Sequence, residues 1–411
     1  MIGAWGMLTR RRGCELLAIV GVLAVGFVLW RIHRSTIVIR DKLIAAGFPE
    51  SYAVRLADLK RAHPAWSFEP LMVADLPWGK IIDRECAPAQ NLVVRSKWAP
   101  DEWLRLGEKN YTPYYAENAK TYDSGRWYQA SREAIAYFMD PRNFFGENEV
   151  FMFESLSFNE MTHTVEAIEK AFSGSFMAQA NYDGGGRRFS ELVLDIGRKL
   201  GISPVFLAAR LTSEQGMGTV QAMGKIGDSL VELHSNRVNR IGDLVVWGKT
   251  FTADGRNTVG VTAAGRETYN GYYNFFNTGA CGSGVFEIRY NAWREATGAE
   301  TVAKYGGPWD SQEKAIRGGA IKIKERYIDT FRHTRYFQKF SVVPAAGAFR
   351  WKQYMQNIAA PLVEARGTFK AYRDADVLEA PYRFVIPVFK GLPPQPCPDP
   401  AQGKSVYSPQ L

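Results

Sequence analysis

The chain has 411 residues, of which 46% are hydrophobic and 23% charged, and it carries a formal net charge of +9. This composition is typical of a globular protein with two or three domains and excludes a disordered chain; no fixed repeat period is present. The positive charge suits an anionic partner such as anionic lipid or an acidic polymer. Nucleic acid is not expected as a partner, because no run of Lys and Arg interleaved with aromatic residues marks a binding groove.

An uncharged apolar run near the N-terminus, from Leu16 to Trp30, follows three consecutive arginines. As a helix this run spans roughly 22 Å, short of the ~30 Å hydrocarbon core of a membrane. No small-residue cleavage site follows, which favours an uncleaved signal anchor over residues 15–34 and a cytoplasmic N-terminus at residues 1–14. Arg31 and Arg34, on the other side of the apolar run, argue against this orientation. The alternative interpretation is a buried helix of a protein without an anchor.

Cysteine and histidine are few and scattered along the chain. The four cysteines do not form a disulfide framework, and the five histidines show no HExxH or other metal-ligand spacing. No GxGxxG, Walker or GxSxG pattern stands between a predicted strand and a predicted helix. The sequence therefore predicts no metal site and no cofactor.

Residues 40–100 are interpreted as a small α/β module, followed by a structured linker at 101–122. Pro49 fits the start of a helix over Glu50–Arg61, and the turn HPAWSFEP leads into a strand. The linker is rich in aromatic and turn residues.

Beyond the linker the pattern is mainly helical. One helix is predicted to end at Asp140, because the residue before Pro141 is pushed out of helical backbone angles. A later helix, SQEKAIRGGAIKIKERYID, is expected to be broken at Gly318 and Gly319. Near the C-terminus, YRFVIPVF predicts an edge strand that contains Pro387, and a Pro-rich tail follows.

The stretch SPVFLAARLTSEQG predicts a short apolar helix that carries a carboxylate near its end. Ser203 is a good N-cap, Pro204 fits the first helical position, and glycines follow the helix. Leu207, Leu211 and Glu214 fall on one face of the helix. A carboxyl group at the end of an apolar stripe is partly removed from water, which favours its protonated form, and such an acid can donate a proton to a leaving group. The alternative is a solvated helix end.

Several phrases, in one order, resemble the bacterial family-73 endo-β-N-acetylglucosaminidases, the autolysins that cut peptidoglycan. The resemblance covers roughly residues 45–362 and includes a module that relatives carry ahead of the catalytic domain. It implies a lysozyme-like, mainly helical α+β fold with a small β-lobe beside a cleft. The phrases are WYQASREAIAYFMDPRNFF, FMFESLSFN, GISPVFLAARLTSEQG, GYYNFFNTGA, AIRGGAIKIKERYI, YFQKFSVV and WKQYMQNIAAP.

The resemblance also implies roles for individual residues. The general acid of the family corresponds to Glu214, and an aromatic turn of the family corresponds to Tyr272, Tyr273, Asn274 and Phe275, which are expected to contact substrate. Tyr273 is expected to position substrate or water. The alternatives are core packing for Phe275 and its neighbour, and a turn-forming role for Asn274.

The sequence does not identify the second catalytic group. Glycoside hydrolysis needs a group that stabilises or attacks the oxocarbenium-like centre, and the substrate's own 2-acetamido group can serve instead of a carboxylate. The segment 219–268 departs from the shorter connection of close relatives, and spacing does not select among its carboxylates. The candidates are Asp228, Glu232 and Asp243, with Asp254 and Glu267 in the same segment.

Together these observations predict a membrane-anchored peptidoglycan hydrolase that cleaves the β-1,4 bond between N-acetylglucosamine and N-acetylmuramic acid. Its expected partners are peptidoglycan glycan strands and, through the N-terminal helix, the cytoplasmic membrane; a protein partner is unknown. The alternatives are a lytic transglycosylase of similar fold and an inactive wall-binding scaffold. The predicted divisions are a cytoplasmic N-terminus at 1–14, an anchor at 15–34, a module at 40–100, a linker at 101–122, a catalytic domain at 123–362 and a C-terminal extension at 363–411.

The predicted topology has a direct test. A reporter enzyme fused to the C-terminus is expected to be active only outside the cytoplasm, because the arginines before the apolar run hold the N-terminus inside. Activity of a cytoplasm-specific reporter, with none from a reporter that works only outside, would overturn the predicted orientation.

Overall fold

The computed structural model describes most of the chain beyond its N-terminus, with several gaps, the longest of which is a central segment. The described residues are 34–94, 101–104, 121–122, 127–182, 185–215, 272–280, 285–340, 342 and 353–401. The predicted anchor lies outside them apart from its last residue, as do the five carboxylates between positions 228 and 267. Within the described ranges, no helix combines the length and apolar character needed to cross a membrane.

The described residues form a mainly helical fold with two small sheets, consistent with the predicted α+β class. The helices are α1 at 34–45, α2 at Glu50–Ala62, α3 at Trp78–Glu85, α4 at Arg132–Met139, α5 at Val165–Ala171, α6 at Phe189–Leu200, α7 at Pro204–Gln215, α8 at Val285–Thr297, α9 at Ala299–Lys304, α10 at Gln312–Arg326, α11 at Arg335–Lys339 and α12 at Ala360–Asp374. The strands are β1 at Ser67–Pro77, β2 at Leu92–Val94, β3 at Thr121–Tyr122, β4 at Trp127–Gln129 and β5 at Arg383–Lys390.

The first sheet joins the N-terminal module to the C-terminal extension. β1 pairs with β5 in parallel, and Leu71 lies opposite Pro387. Proline has no N–H to give to a ladder, and a strand at the edge of a two-stranded sheet tolerates this. The helix predicted after Pro49 and the strand predicted near the C-terminus are both present. The module at 40–100 therefore shares backbone hydrogen bonds with the extension at 363–411.

The second sheet has the antiparallel order β2–β4–β3 and holds a segment from much later in the chain. The Leu92 N–H donates to the Gln356 carbonyl at 2.8 Å, and the Ile358 N–H donates to the Leu92 carbonyl at 3.0 Å. These two bonds fix the segment that carries Tyr354 beside the sheet.

Helix α7 forms as its end signals predict. The Phe206 N–H donates to the Ser203 hydroxyl at 3.1 Å, so Ser203 caps the helix, and Pro204 is its first residue. The side chains of Leu207 and Leu211 are fully buried, and Glu214 is half-buried at the helix end. The apolar stripe thus packs in the core and leaves the carboxyl group at its border.

A buried ion pair fixes the helices behind α7. Arg335 of α11 donates to Glu154 at 2.8 Å and to Thr368 of α12 at 2.8 Å. Tyr372 of α12 donates to the other oxygen of Glu154 at 2.7 Å. Removing one member of such a buried pair leaves an unpaired charge in the core, so α11 and α12 are held in one arrangement.

The predicted break at Gly318 and Gly319 is wrong, because α10 continues through both residues. The two glycines allow close packing. A Cβ atom at Gly318 would lie 2.2 Å from Trp309 Nε1, and one at Gly319 would lie 2.4 Å from Cδ2 of Phe276. Tertiary contacts therefore decide the choice of glycine here, and they bring Phe276 directly against α10.

We expect Gly318→Ala to destabilise the fold by ~1–3 kcal/mol, since the added methyl group overpacks against Trp309 and the Tyr305 carbonyl. Helix propensity alone would favour alanine by ~1 kcal/mol. The control is Gly79→Ala in α3, where no atom lies within 4 Å of the added Cβ. Chemical denaturation of both variants distinguishes the two effects, and equal stability of the two variants would contradict close packing at Gly318.

Candidate active site

A cleft of about 1380 Å³ opens beside the end of α7. One wall is the turn after Phe275, and the opposite wall is the segment 353–357 that β2 holds in place. Residues of α8, α9 and α10 extend the cleft, and Glu214 lies on its wall. Five of the quoted sequence phrases, including the one that carries the predicted catalytic residue, therefore contribute residues to one cavity.

Both oxygens of the Glu214 carboxyl group accept a hydrogen bond. The Asn277 amide nitrogen donates to Oε2 at 2.9 Å and also to the backbone carbonyl of Glu214 at 3.1 Å. The Tyr354 hydroxyl donates to Oε1. These partners fix the direction of the carboxyl group, so Glu214 is a positioned group and not a solvated helix end.

The Tyr354 phenol keeps its proton. Burial raises its pKa well above the ordinary value, and the neighbouring carboxyl group acts in the same direction. The phenol therefore stays protonated at neutral pH. The guanidinium carbon of Arg210 lies 3.1 Å from the ring centroid of Tyr354, a cation–π contact that fixes the ring from its other side.

Arg210 links this contact to the core. It precedes Glu214 by one helical turn, and its side chain is 2% exposed. It donates to Gln338 of α11 at 3.1 Å and to Glu364 of α12 at 3.3 Å. Because a buried cation needs such partners, the helices behind α7 position Arg210, and Arg210 positions Tyr354.

The turn 272–280 is locked onto the end of α7. The Gln215 side-chain amide donates to the Phe275 carbonyl at 2.6 Å. Within the turn, the Asn274 amide donates to the Thr278 carbonyl at 2.8 Å and accepts from the Thr278 N–H at 3.1 Å. Asn277 has a left-handed φ of 51°, which asparagine tolerates better than most residues. The turn thereby presents the Asn277 side chain to Glu214.

Two residues predicted to contact substrate make the contacts of their stated alternatives, turn formation for Asn274 and core packing for Phe275, and contact with substrate stays a prediction. Asn274 is fully buried and supports the turn, and Phe275 is 1% exposed with its ring 6.0 Å from that of Phe189 in the core. Tyr272 and Tyr273 are half-buried and pack against the same core. None of these four is among the described residues that line the cleft. Of the two adjacent phenylalanines, Phe275 packs in the core and Phe276 lies on the cleft wall.

The cleft-facing part of the turn lies a little further along the chain than predicted, at Phe276 and Asn277. Tyr354 and Arg210 were also not singled out. Two sequence signals existed: Asn277 belongs to the phrase GYYNFFNTGA and Tyr354 to WKQYMQNIAAP. Arg210 gave a third, since a charge on an apolar helix one turn before Glu214 needs a buried partner.

Carboxylates other than Glu214 also line the described cleft. Glu295 is paired with Lys322, and Glu325 accepts from the Tyr305 hydroxyl at 2.7 Å. The bond to Glu325 raises the pKa of Tyr305 to about 12. The predicted second carboxylates Asp228, Glu232 and Asp243 lie outside the described residues, so their choice stays a prediction. Among the residues described, no group of three or more His, Cys, Asp or Glu side chains could hold a metal ion.

Neither a protein-family model nor a curated relative matches the sequence. Solved structures do match. The major bifunctional autolysin is 16% identical with a TM-score of 0.42, over 79% of this chain and 98% of that chain. S. aureus glucosaminidase B is 18% identical with a TM-score of 0.42, over 78% and 93%. A catalytic mutant of S. aureus autolysin E, in complex with the disaccharide NAG-NAM, is 14% identical with a TM-score of 0.38, over 73% and 92%.

A buried lysine supports the wall that carries Tyr354. Lys339 donates to the Gln90 carbonyl at 3.2 Å and to the side-chain oxygen of Gln353, a cleft residue, at 3.0 Å. Burial lowers the pKa of Lys339 to about 7. An unfolded chain would bind this proton up to about pH 10.4, so between these values the unfolded state binds more protons than the folded state.

We therefore expect the free energy of unfolding to rise with pH from about 7 upward through the Lys339 contribution, by up to ~1.4 kcal/mol per pH unit. The control is Lys339→Met, which removes the titrating group. Urea unfolding of both proteins at pH 7, 8 and 9 measures the difference. Parallel pH dependences in the two proteins would contradict the expected titration.

Proposed function

We propose that this protein is a peptidoglycan hydrolase, an endo-β-N-acetylglucosaminidase in which Glu214 is the general acid. The observation that carries the proposal is the carboxyl group of Glu214, half-buried on the wall of a large cleft with a fixed hydrogen-bond partner on each oxygen. A carboxyl group placed in this way can transfer a proton in a defined direction.

The size of the cleft supports a polymeric substrate. Its volume of about 1380 Å³ exceeds the ~300–1,000 Å³ of sites for drug-sized ligands. Its described walls combine aromatic residues, including Trp127, Tyr305 and Tyr327, with amide and carboxylate side chains. Aromatic faces beside hydrogen-bonding groups suit sugar rings, which have apolar faces and polar edges.

In the proposed reaction, protonated Glu214 gives its proton to the glycosidic oxygen as the bond from C1 to that oxygen breaks, and the electron pair leaves with the oxygen. The developing positive charge at C1 needs a second group. The 2-acetamido oxygen of the substrate, or a carboxylate of the segment 219–268, supplies it in this proposal. Water then completes hydrolysis and restores the proton of Glu214.

We also propose that the chain is anchored in the cytoplasmic membrane by residues 15–34, with the cleft on the extracytoplasmic side. The support is the apolar run after three arginines and the location of peptidoglycan outside the membrane. The net charge of +9 favours contact with an acidic cell-wall polymer.

We expect Glu214→Gln to lower the rate on purified peptidoglycan by ~10²–10⁴-fold, because the amide keeps the shape but has no proton to transfer. Release of soluble fragments from sacculi measures the rate. The matched control is Glu160→Gln, which removes an exposed carboxylate that pairs with Arg198 on the surface. Near wild-type activity of a folded Glu214→Gln variant would sink the proposal.

Analysis of the new chain ends separates the alternative enzymes. The proposed activity leaves N-acetylglucosamine at the new reducing end, whereas a lytic transglycosylase leaves an anhydro-N-acetylmuramic acid end. Detection of anhydro ends would therefore contradict the proposed reaction and identify the protein as a lytic transglycosylase. Binding of wild type to sacculi without any cleavage would indicate a wall-binding scaffold instead.

A further inference from the structure

Asn277 makes an asymmetric contact with Glu214. Its amide nitrogen donates both to the Glu214 backbone carbonyl and to Oε2 of the side chain. A backbone carbonyl can only accept a hydrogen bond, so a reversed amide would set two carbonyl oxygens against each other. The Asn277 amide oxygen has no partner among the described residues, and the bonds to Glu214 therefore decide the orientation. Asn277 is a fixed donor to Oε2.

The partner on the other oxygen is different in kind. The Tyr354 hydroxyl, which donates to Oε1, can donate or accept by rotation about its C–O bond. A proton on Oε1 is therefore compatible with its neighbour, whereas a proton on Oε2 would meet the N–H of Asn277. The two oxygens of one carboxyl group are thus chemically unequal.

We propose that Asn277 is a positioning residue that assigns the transferable proton of Glu214 to Oε1. The inference rests on the proposed function of Glu214 as general acid. The Oε1 proton moves to the glycosidic oxygen, the C1–O bond breaks with its electron pair on that oxygen, and Glu214 is left as a carboxylate. Both oxygens of that carboxylate then accept hydrogen bonds, one from Asn277 and one from Tyr354.

The groups around the Glu214 carboxyl group are held by the rest of the fold. Arg210 lies behind Tyr354 with Glu364 as its counter-ion. The ring of Tyr327 lies 5.9 Å from that of Tyr354. Loss of the Asn277 donor leaves these groups in place, so its effect on the reaction can be measured by itself.

The backbone of Asn277 allows a clean test, because its φ of 51° suits glycine. A residue needed only to form the turn can be replaced by glycine without loss. For Asn277→Gly we expect kcat to fall roughly 10- to 100-fold, as for the loss of a hydrogen bond to a charged group, with KM unchanged. Asn277→Asp keeps the shape but sets an oxygen against Oε2, and we expect a larger fall in kcat, again with KM unchanged.

The measurements are kcat and KM for release of fragments from peptidoglycan, with near-ultraviolet circular dichroism as the check of folding. Wild-type kcat in the folded glycine variant would overturn the inference, as would a loss of activity that lies in KM with kcat unchanged. If the glycine variant does not fold, the Asp variant decides by the same criterion. Full activity of Glu214→Gln would overturn the proposed function itself, whereas an inactive Glu214→Gln beside an unaltered Asn277→Gly would overturn only this inference.

Discussion

A carboxyl group at the end of an apolar helix has to satisfy its oxygens at the border of a core that offers few donors. At Glu214 one donor, Asn277, comes from a turn that follows much later in the sequence. The other, Tyr354, comes from a segment further still along the chain. The hydrogen bonds of the Glu214 carboxyl group therefore form only where three distant parts of the chain meet. Much of the rest of the described fold can be understood as the means of bringing these parts together.

Each part is delivered by a different physical device. The turn is fixed by the Gln215 amide and by Phe276, which packs against α10 at Gly319, where there is no side chain. The segment with Tyr354 is fixed by backbone bonds to β2 and by the face of Arg210. Arg210 in turn depends on α11 and α12, which the buried pair of Arg335 and Glu154 holds. We therefore expect a change in the helices behind α7 to alter the position of the Glu214 carboxyl group without any direct contact to substrate.

The sequence predicted those features of the fold that depend on interactions between neighbouring residues. The cap at Ser203, the start of α2 and the position of Glu214 follow from neighbours a few residues away. The continuity of α10 through its two glycines was missed. Glycine has a low helix propensity, but here the side chain of Trp309 occupies the space that a Cβ atom would need. The role of Tyr354 was missed for the same reason, because it depends on contacts across the fold, which no local pattern contains. Core packing of Phe275 was named from the sequence only as an alternative.

The pairing of β1 with β5 orders events in time as well as in space. The residues paired in this sheet are separated by more than three hundred positions, since Ser67 lies opposite Arg383. A ribosome makes β1 more than three hundred residues before its partner strand, so this sheet can form only after β5 has emerged. Until then Trp66, which also packs on His63 and Phe151, lacks the cover of Phe384. Any event that removes β5 therefore takes away the partner strand of the N-terminal module.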